Sequence, residues 1–217
     1  LLVGHLPALL DRNGRKACII GLGSGMTVGS VAQYPSYQQI DCVELSEAVI
    51  EASDYFKEQT YDILCNEPRL RLFRADGRNH LLLTSEQYDL IVSEPSNPWL
   101  AGISNLFTRE FFDLCRSRLT PEGVFAVWLQ SYSTSEASFR MVIRTLFETF
   151  DSVSIWEAGL NDYCLIAWNG PPTVGIEEVA ARFAAPSVRQ DLYRIALFDL
   201  GAVLGNYVIG GQRLRDW

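Results

Sequence analysis

The sequence predicts an α/β fold: a doubly wound, mostly parallel sheet with helices on both faces. Short apolar runs alternate with helix-patterned segments from residue 17 to residue 150, as expected when parallel strands are buried between two helical layers. The first run, Ala17-Cys-Ile-Ile, passes directly into glycines at 21, 23 and 25. Such a turn lets backbone approach a ligand closely and then opens a helix. Glu44 ends the next apolar run, about 20 residues further on, where folds of this kind present a carboxylate to ribose hydroxyls.

Residues 6–10 end a short helix, and Asp-Arg-Asn-Gly at 11–14 is a turn. The first strand covers 17–21. The helix after the glycines starts near Thr27 and stops before Pro35, which cannot continue it. The second strand covers 39–44, and Ser46 and Glu47 suit the first turn of a helix over 46–56. Residues 61–69 carry no period, and 70–74 form a short strand ending at Asp76-Gly77. Strand four, 88–92, runs into Ser-Glu-Pro-Ser-Asn-Pro-Trp at 93–99, a loop that two prolines keep out of any helix. Thr108 caps a helix over 108–119, with Glu110 in its first turn. Thr-Pro-Glu-Gly at 120–123 reads as a turn, 124–129 as strand five and 135–150 as a helix. Segments 153–156 and 163–168 read as an antiparallel pair closing the sheet. Beyond Pro171-Pro172 the chain turns helical.

A length of 217 residues suffices for one α/β domain with a sizeable core. Residues 1–170 read as a nucleotide-binding catalytic domain, and 171–217 as a helical extension packed on it and cut short. The opening Leu-Leu-Val-Gly lacks an initiator Met and a charged leader, so it reads as part of something longer and not as a signal peptide. The net charge of −8 argues against a nucleic-acid surface, which needs clustered Lys and Arg. It suits a cationic small-molecule partner instead. Five scattered cysteines read as reduced thiols in a cytoplasmic setting, and no Cys-x-x-Cys or Cys/His cluster points to a metal. Only two histidines exist; His5 reads as a helix-entry residue and His80 as a solvated helix residue. The stretch 195–210 is interrupted by Asp199, Asn206 and three glycines. It reads as a packed amphipathic segment, not a membrane span.

In a doubly wound sheet the ligand sits beyond the carboxyl ends of the strands, at the switch in strand order. That rule puts residues 21–25, Glu44, Asp76-Gly77 and the 93–99 loop on one rim. The Gly-x-Gly-x-Gly spacing differs from the Gly-x-Gly-x-x-Gly of dinucleotide enzymes. It fits the class I S-adenosylmethionine-dependent methyltransferase (Rossmann-like) type of fold, which binds no pyrophosphate. Gly21, Gly23, Ser24 and Gly25 are the candidate cofactor loop, with a plain tight turn as the alternative. Glu44 is the candidate ribose ligand. Asp76, followed by Gly77, is the candidate acceptor for the adenine amine, or simply a turn. Glu94 is either a carboxylate aimed at the reacting centre or one solvated acid on a rigid connection. Trp99, Phe107 and Tyr132 are candidate aromatic walls of an acceptor pocket. Asn97-Pro98-Trp99 is similar to the Asn-Pro-Pro-aromatic motif of amino-group methyltransferases, with Trp99 in place of the second proline.

Over residues 5–168 the chain resembles the polyamine aminopropyltransferases, the spermidine synthase family. The resemblance runs through His-Leu-Pro-Ala-Leu-Leu at 5–10, the glycine loop, Cys-Val-Glu-Leu-Ser-Glu-Ala-Val-Ile at 42–50 and Arg-Leu-Phe-Arg-Ala-Asp-Gly at 71–77. It continues through Tyr-Asp-Leu-Ile-Val-Ser-Glu-Pro-Ser-Asn-Pro at 88–98, Leu-Phe-Thr-Arg-Glu-Phe-Phe at 106–112 and Pro-Glu-Gly-Val-Phe at 121–125. The chain also looks like the spermidine-synthase-like domains attached to multi-helix membrane segments.

The resemblance implies decarboxylated S-adenosylmethionine as co-substrate, an amine or polyamine acceptor, no metal and a homodimer. A methyltransferase using S-adenosylmethionine and a non-catalytic nucleotide-binding module are the alternatives. It further implies a location in the cytoplasm, or on the cytoplasmic face of a membrane if a membrane domain is attached. Glu44 would bind the ribose hydroxyls and Asp76 the adenine amine. Glu94 would hold the place of the family's catalytic aspartate, and Asn97 the second acidic position of that loop. Ser24 stands where the family's glycine loop usually carries an acid.

Overall fold

The computed structural model describes residues 1–12, 14–95, 102–172 and 174–217. Helix α1 (Leu2–Leu10) is buried along its whole length. Strand β1 (Lys16–Ile20) leads through the glycine loop into α2 (Met26–Ala32). Strand β2 (Gln39–Glu44) leads into α3 (Glu47–Ala52), prolonged by a 3-10 turn at Ser53–Phe56. A short α4 (Ile63–Asn66) precedes β3 (Leu70–Arg74), and α5 (Gly77–Leu83) precedes β4 (Tyr88–Ser93). A second 3-10 turn, Ile103–Phe107, enters α6 (Arg109–Arg118) and then β5 (Leu119–Gln130). Helix α7 (Glu136–Thr149) is followed by the hairpin β6 (Ser152–Gly159) and β7 (Asp162–Trp168). The remainder folds as α8 (Ile176–Phe183), α9 (Pro186–Tyr193), α10 (Leu200–Leu204), β8 (Tyr207–Gly210) and α11 (Gln212–Arg215).

Among the described residues the strands form one eight-stranded sheet in the order β3-β2-β1-β4-β5-β7-β6-β8. Strands β1 to β5 pair in parallel, while β7, β6 and β8 join antiparallel. The chain winds outward from β1 to β3, then crosses back to lay β4 against β1. That reversal opens a crevice beyond the carboxyl ends of β1 and β4. The central strands read as unbroken apolar runs because both faces are covered: Ala17, Cys18, Ile19, Leu90, Ile91 and Val92 are fully buried. One face packs on α1, α2, α8 and α9, the other on α5, α6 and α7.

Four local features differ from the sequence reading. Asp76-Gly77 is not only a turn, because Asp76 caps α5 by accepting a hydrogen bond from Asn79 N at 2.8 Å. Residues 120–123 do not end an element. The ladder skips from Tyr88↔Leu119 to Leu90↔Val124, so the turn residues bulge out of a continuing β5. The 171–217 segment is not wholly helical, since β8 pairs antiparallel with β6. His5 is not at the entry to α1 but midway along it and fully buried. Its Nε2 donates to Asp191 Oδ2 at 2.9 Å, and its Nδ1 accepts from the Tyr34 hydroxyl at 2.9 Å. His80 sits half-buried on α5, its ring centroid 4.7 Å from that of Phe73. Among the described residues, no helix is long and apolar enough to cross a membrane.

Candidate active site

The crevice is built from four strand ends. At the end of β1, Gly21 has φ +96°, and a Cβ there would lie 2.7 Å from the carbonyl oxygen of Glu94. Only glycine allows that conformation and that approach together. The Glu94 amide donates to the Ile20 carbonyl at 2.9 Å, tying the ends of β1 and β4 together.

At the end of β2 the Glu44 carboxylate is pinned from two sides. Its Oε2 accepts from Leu22 N at 2.9 Å and its Oε1 from Ser46 N at 2.8 Å. Each oxygen keeps a further lone pair, so the group is oriented without being used up. Asp76, beyond β3, spends Oδ1 on its helix cap and keeps Oδ2. Gly77 behind it is packed so closely that an added Cβ would meet Ile20 Cγ2 at 2.3 Å. Glu94 is half-buried. Burial pushes its carboxyl above the ordinary value, and a hydrogen bond with Thr27 partly offsets that.

These residues line two cavities. A cleft of about 770 Å³ gathers Gly21, Gly23, Glu44, Asp76, Gly77 and Glu94, within the size range of small-molecule sites. A second cavity of about 380 Å³ shares only Gly23, Glu94 and Pro95 with it and adds Leu1, Leu22, Ser24, Met26, Thr27 and Trp128. Glu94 therefore stands where the two meet. Ser24 belongs to the second cavity and not to the large cleft. Gly25 lines neither, and instead shapes the entry to α2 with φ +83°. Asn97 and Trp99 lie outside the described residues. Phe107 packs into the core beneath α6, and Tyr132 is exposed; neither lines either cavity.

Thr27, Trp128 and Arg78 were not singled out from sequence. Thr27 follows the glycine loop by two residues, and Trp128 lies near the carboxyl end of β5. A strand-end rule extended to β5 would have found the latter. Arg78 follows the Asp-Gly pair and lines the large cleft. Among the described residues, no group of three or more His, Cys, Asp or Glu side chains is arranged to hold a metal.

The family model described as the spermine/spermidine synthase domain matches residues 2–168. The chain belongs to the spermine/spermidine synthase domain family. A polyamine aminopropyltransferase from Clostridium perfringens (strain SM101 / Type A) is 27% identical over 164 residues, covering 75% of this chain and 57% of that protein. The chain thus spans little more than half the length of that relative. A solved spermidine synthase, in complex with the transition state analogue AdoDATO, matches with TM-score 0.72 at 23% identity, covering 89% of this chain and 74% of that one. Human methyltransferase-like protein 13, solved with SAH, matches with TM-score 0.68 at 21% identity, covering 94% and 96%. Both likenesses show the fold, the class I methyltransferase type expected from the glycine loop and the strand pattern.

Proposed function

We propose that the protein transfers an aminopropyl group from decarboxylated S-adenosylmethionine to a small-molecule amine. The observation that carries this reading is the position of Glu94, a half-buried carboxylate at the junction of two cavities in a chain of this family. The large cleft fits the adenosyl part. Glu44 offers its free lone pairs to the ribose hydroxyls, and Asp76 Oδ2 accepts from the adenine amine. Among the described residues, no Lys or Arg side chain lines the second cavity. A donor carboxylate there would lie beside Glu94, of like charge, which favours the decarboxylated form.

The bound donor supplies a sulfonium, already an activated leaving group, so no general acid is required. The difficulty lies with the nucleophile. An alkylamine titrates near the Lys value of about 10.4, so presenting it neutral at pH 7 costs roughly 4–5 kcal/mol. The amine nitrogen forms a bond to the carbon beside sulfur. The carbon–sulfur bond breaks with its electron pair going to sulfur, and neutral methylthioadenosine leaves. Glu94 receives the proton lost by the amine and holds that amine in line. Thr27, hydrogen-bonded to Glu94, orients the carboxylate.

The test is product analysis with the protein, decarboxylated S-adenosylmethionine and a panel of amines. Methylthioadenosine equimolar with alkylated amine is expected. If S-adenosylhomocysteine forms from S-adenosylmethionine instead, the protein is a methyltransferase and the reading is wrong.

A further inference from the structure

Arg78 brings a cation into a cleft otherwise marked by carboxylates. Its half-buried side chain lines the cleft of about 770 Å³ together with Glu44, Asp76 and Glu94. Asp76 caps α5, and Arg78 is the second residue of that helix, so both side chains reach the cleft from one turn of backbone. They do not serve each other. Asp76 accepts from Asn79 N, and Glu44 accepts from Leu22 N and Ser46 N; the backbone, not Arg78, holds these carboxylates. Val43 of β2 and Ile103 and Leu106 of the second 3-10 turn line the same cleft, which gives apolar surface for the faces of a flat ring.

We propose that Arg78 determines specificity for the base: its guanidinium donates to the adenine ring nitrogen beside the amine that Asp76 receives. This rests on the reading above that the large cleft takes the adenosyl part. Adenine carries its amine, a donor, between two acceptor nitrogens, N1 and N7. An acceptor and a donor arriving from one turn of backbone match that alternation. The carboxylate takes an amine hydrogen, and the guanidinium, all donors and no acceptor, gives a hydrogen to the neighbouring nitrogen. Its planar fork keeps both its charge and its geometry, which a lysine ammonium on a flexible stem does not. A hydrogen bond from a charged group is worth about ten- to a hundredfold in affinity.

A binding cycle decides the matter, read by titration calorimetry with methylthioadenosine and its 1-deaza and 7-deaza analogues. Each analogue replaces one ring nitrogen by C–H. Arg78→Met keeps an unbranched side chain and removes the donors. This variant should bind methylthioadenosine about ten- to a hundredfold more weakly than wild type. Wild type should discriminate against one of the two analogues by a similar factor, and Arg78→Met should bind that analogue no worse than methylthioadenosine itself. Such non-additivity marks a direct contact, whereas a merely structural arginine gives losses that add. Arg78→Lys keeps the charge and should show a smaller coupling to the same nitrogen, and it carries the cycle if the Met variant does not fold. Additive losses with both analogues, or equal methylthioadenosine affinity in wild type and Arg78→Met, overturn the inference and leave the adenosyl cleft standing. Failure of the wild-type protein to bind methylthioadenosine overturns both.

Discussion

At the scale of single residues, the site is a set of carboxylates held in place by different surroundings. Glu94 is the one that burial destabilises as an anion, since desolvation raises its pKa more than Thr27 lowers it. A group whose folded pKa lies above its unfolded value favours the native state when protonated and weakens it once ionised. Glu94→Gln should therefore lower turnover by about 10²–10⁴ while raising Tm at pH 7. The Tm gain should vanish below about pH 4, where the unfolded carboxyl is also protonated. Wild-type activity should fall on acidification at a pH above the ordinary Glu value of about 4.3. A pH–rate profile together with calorimetric melting checks both limbs, and an unchanged or lower Tm at pH 7 refutes the desolvation account. Glu44 is held in place by two backbone amides. Removing it in Glu44→Ala strips the loop of its anchor and the ribose of its partner. Loss of a hydrogen bond to a charged group is worth about 1.5–3 kcal/mol, so titration calorimetry with methylthioadenosine should show affinity weakened roughly 10- to 150-fold. An unchanged Kd would remove Glu44 from the site.

At the scale of elements, positioning depends on close contacts between strand ends and the helices that follow them. Gly77 is the first residue of α5 and sits against Ile20 of β1. Helix propensity alone predicts that Gly77→Ala stabilises, by about 0.5–1 kcal/mol. Packing predicts the opposite. A Cβ at 2.3 Å from Ile20 Cγ2 must push α5 away, at a cost of about 1–3 kcal/mol for overpacking, and Asp76 moves with it. We expect Gly77→Ala to melt lower and to bind methylthioadenosine more weakly; a higher melting temperature would mean that the contact relaxes freely. The same contacts explain what was legible in the sequence. Strand ends follow from apolar runs and turn residues, so the glycine loop, Glu44, Asp76 and Glu94 could be placed on one rim from pattern alone. Asp41 could not. It lies inside an apparently apolar strand, fully buried, and is made tolerable by Arg71 of β3 at 2.7 Å and by the Tyr88 hydroxyl at 2.8 Å. Thr27 was equally hidden, because a helix residue becomes a cavity wall through packing and not through period, whereas Trp128, near the carboxyl end of β5, was within reach of the strand-end rule. The bulge at 120–123 was hidden because its residues carry ordinary turn chemistry, and only the pairing partner shows that the strand continues.

At the scale of the whole molecule, one buried carboxylate helps fasten the C-terminal segment to the opening helices, beside hydrogen bonds from Arg182 to the Leu9 carbonyl and from Ser187 to the Gln33 carbonyl. Asp191 of α9 is fully buried. It accepts from His5 of α1 and Ser30 of α2 on one oxygen, and from Tyr61 and Arg194 on the other. The partners His5 and Asp191 are 186 residues apart, which is why His5 could be read as a helix-entry residue when only its neighbours were in view. Burial alone would raise the Asp191 carboxyl, but hydrogen bonds from His5, Tyr61 and Arg194 outweigh it and hold the pKa down to about 2. Burial lowers the pKa of His5, so the contact is a neutral imidazole donating to a carboxylate, not a pair of full charges. A carboxyl depressed below its unfolded value stabilises the fold above that value, and the contribution is lost as pH falls through the folded pKa. Replacing one member of such a buried cluster leaves the others without a partner and costs about 3–5 kcal/mol, or roughly 10 °C in Tm for a chain of this size. Asp191→Asn should therefore melt about that much lower at pH 7, with the gap to wild type closing between about pH 4 and pH 2. Because Asp191 lines neither cavity, methylthioadenosine affinity at a temperature where both proteins are folded should be unchanged. A stability gap that persists undiminished at pH 2 would show that the ionised carboxylate is not what fastens the two ends of the chain.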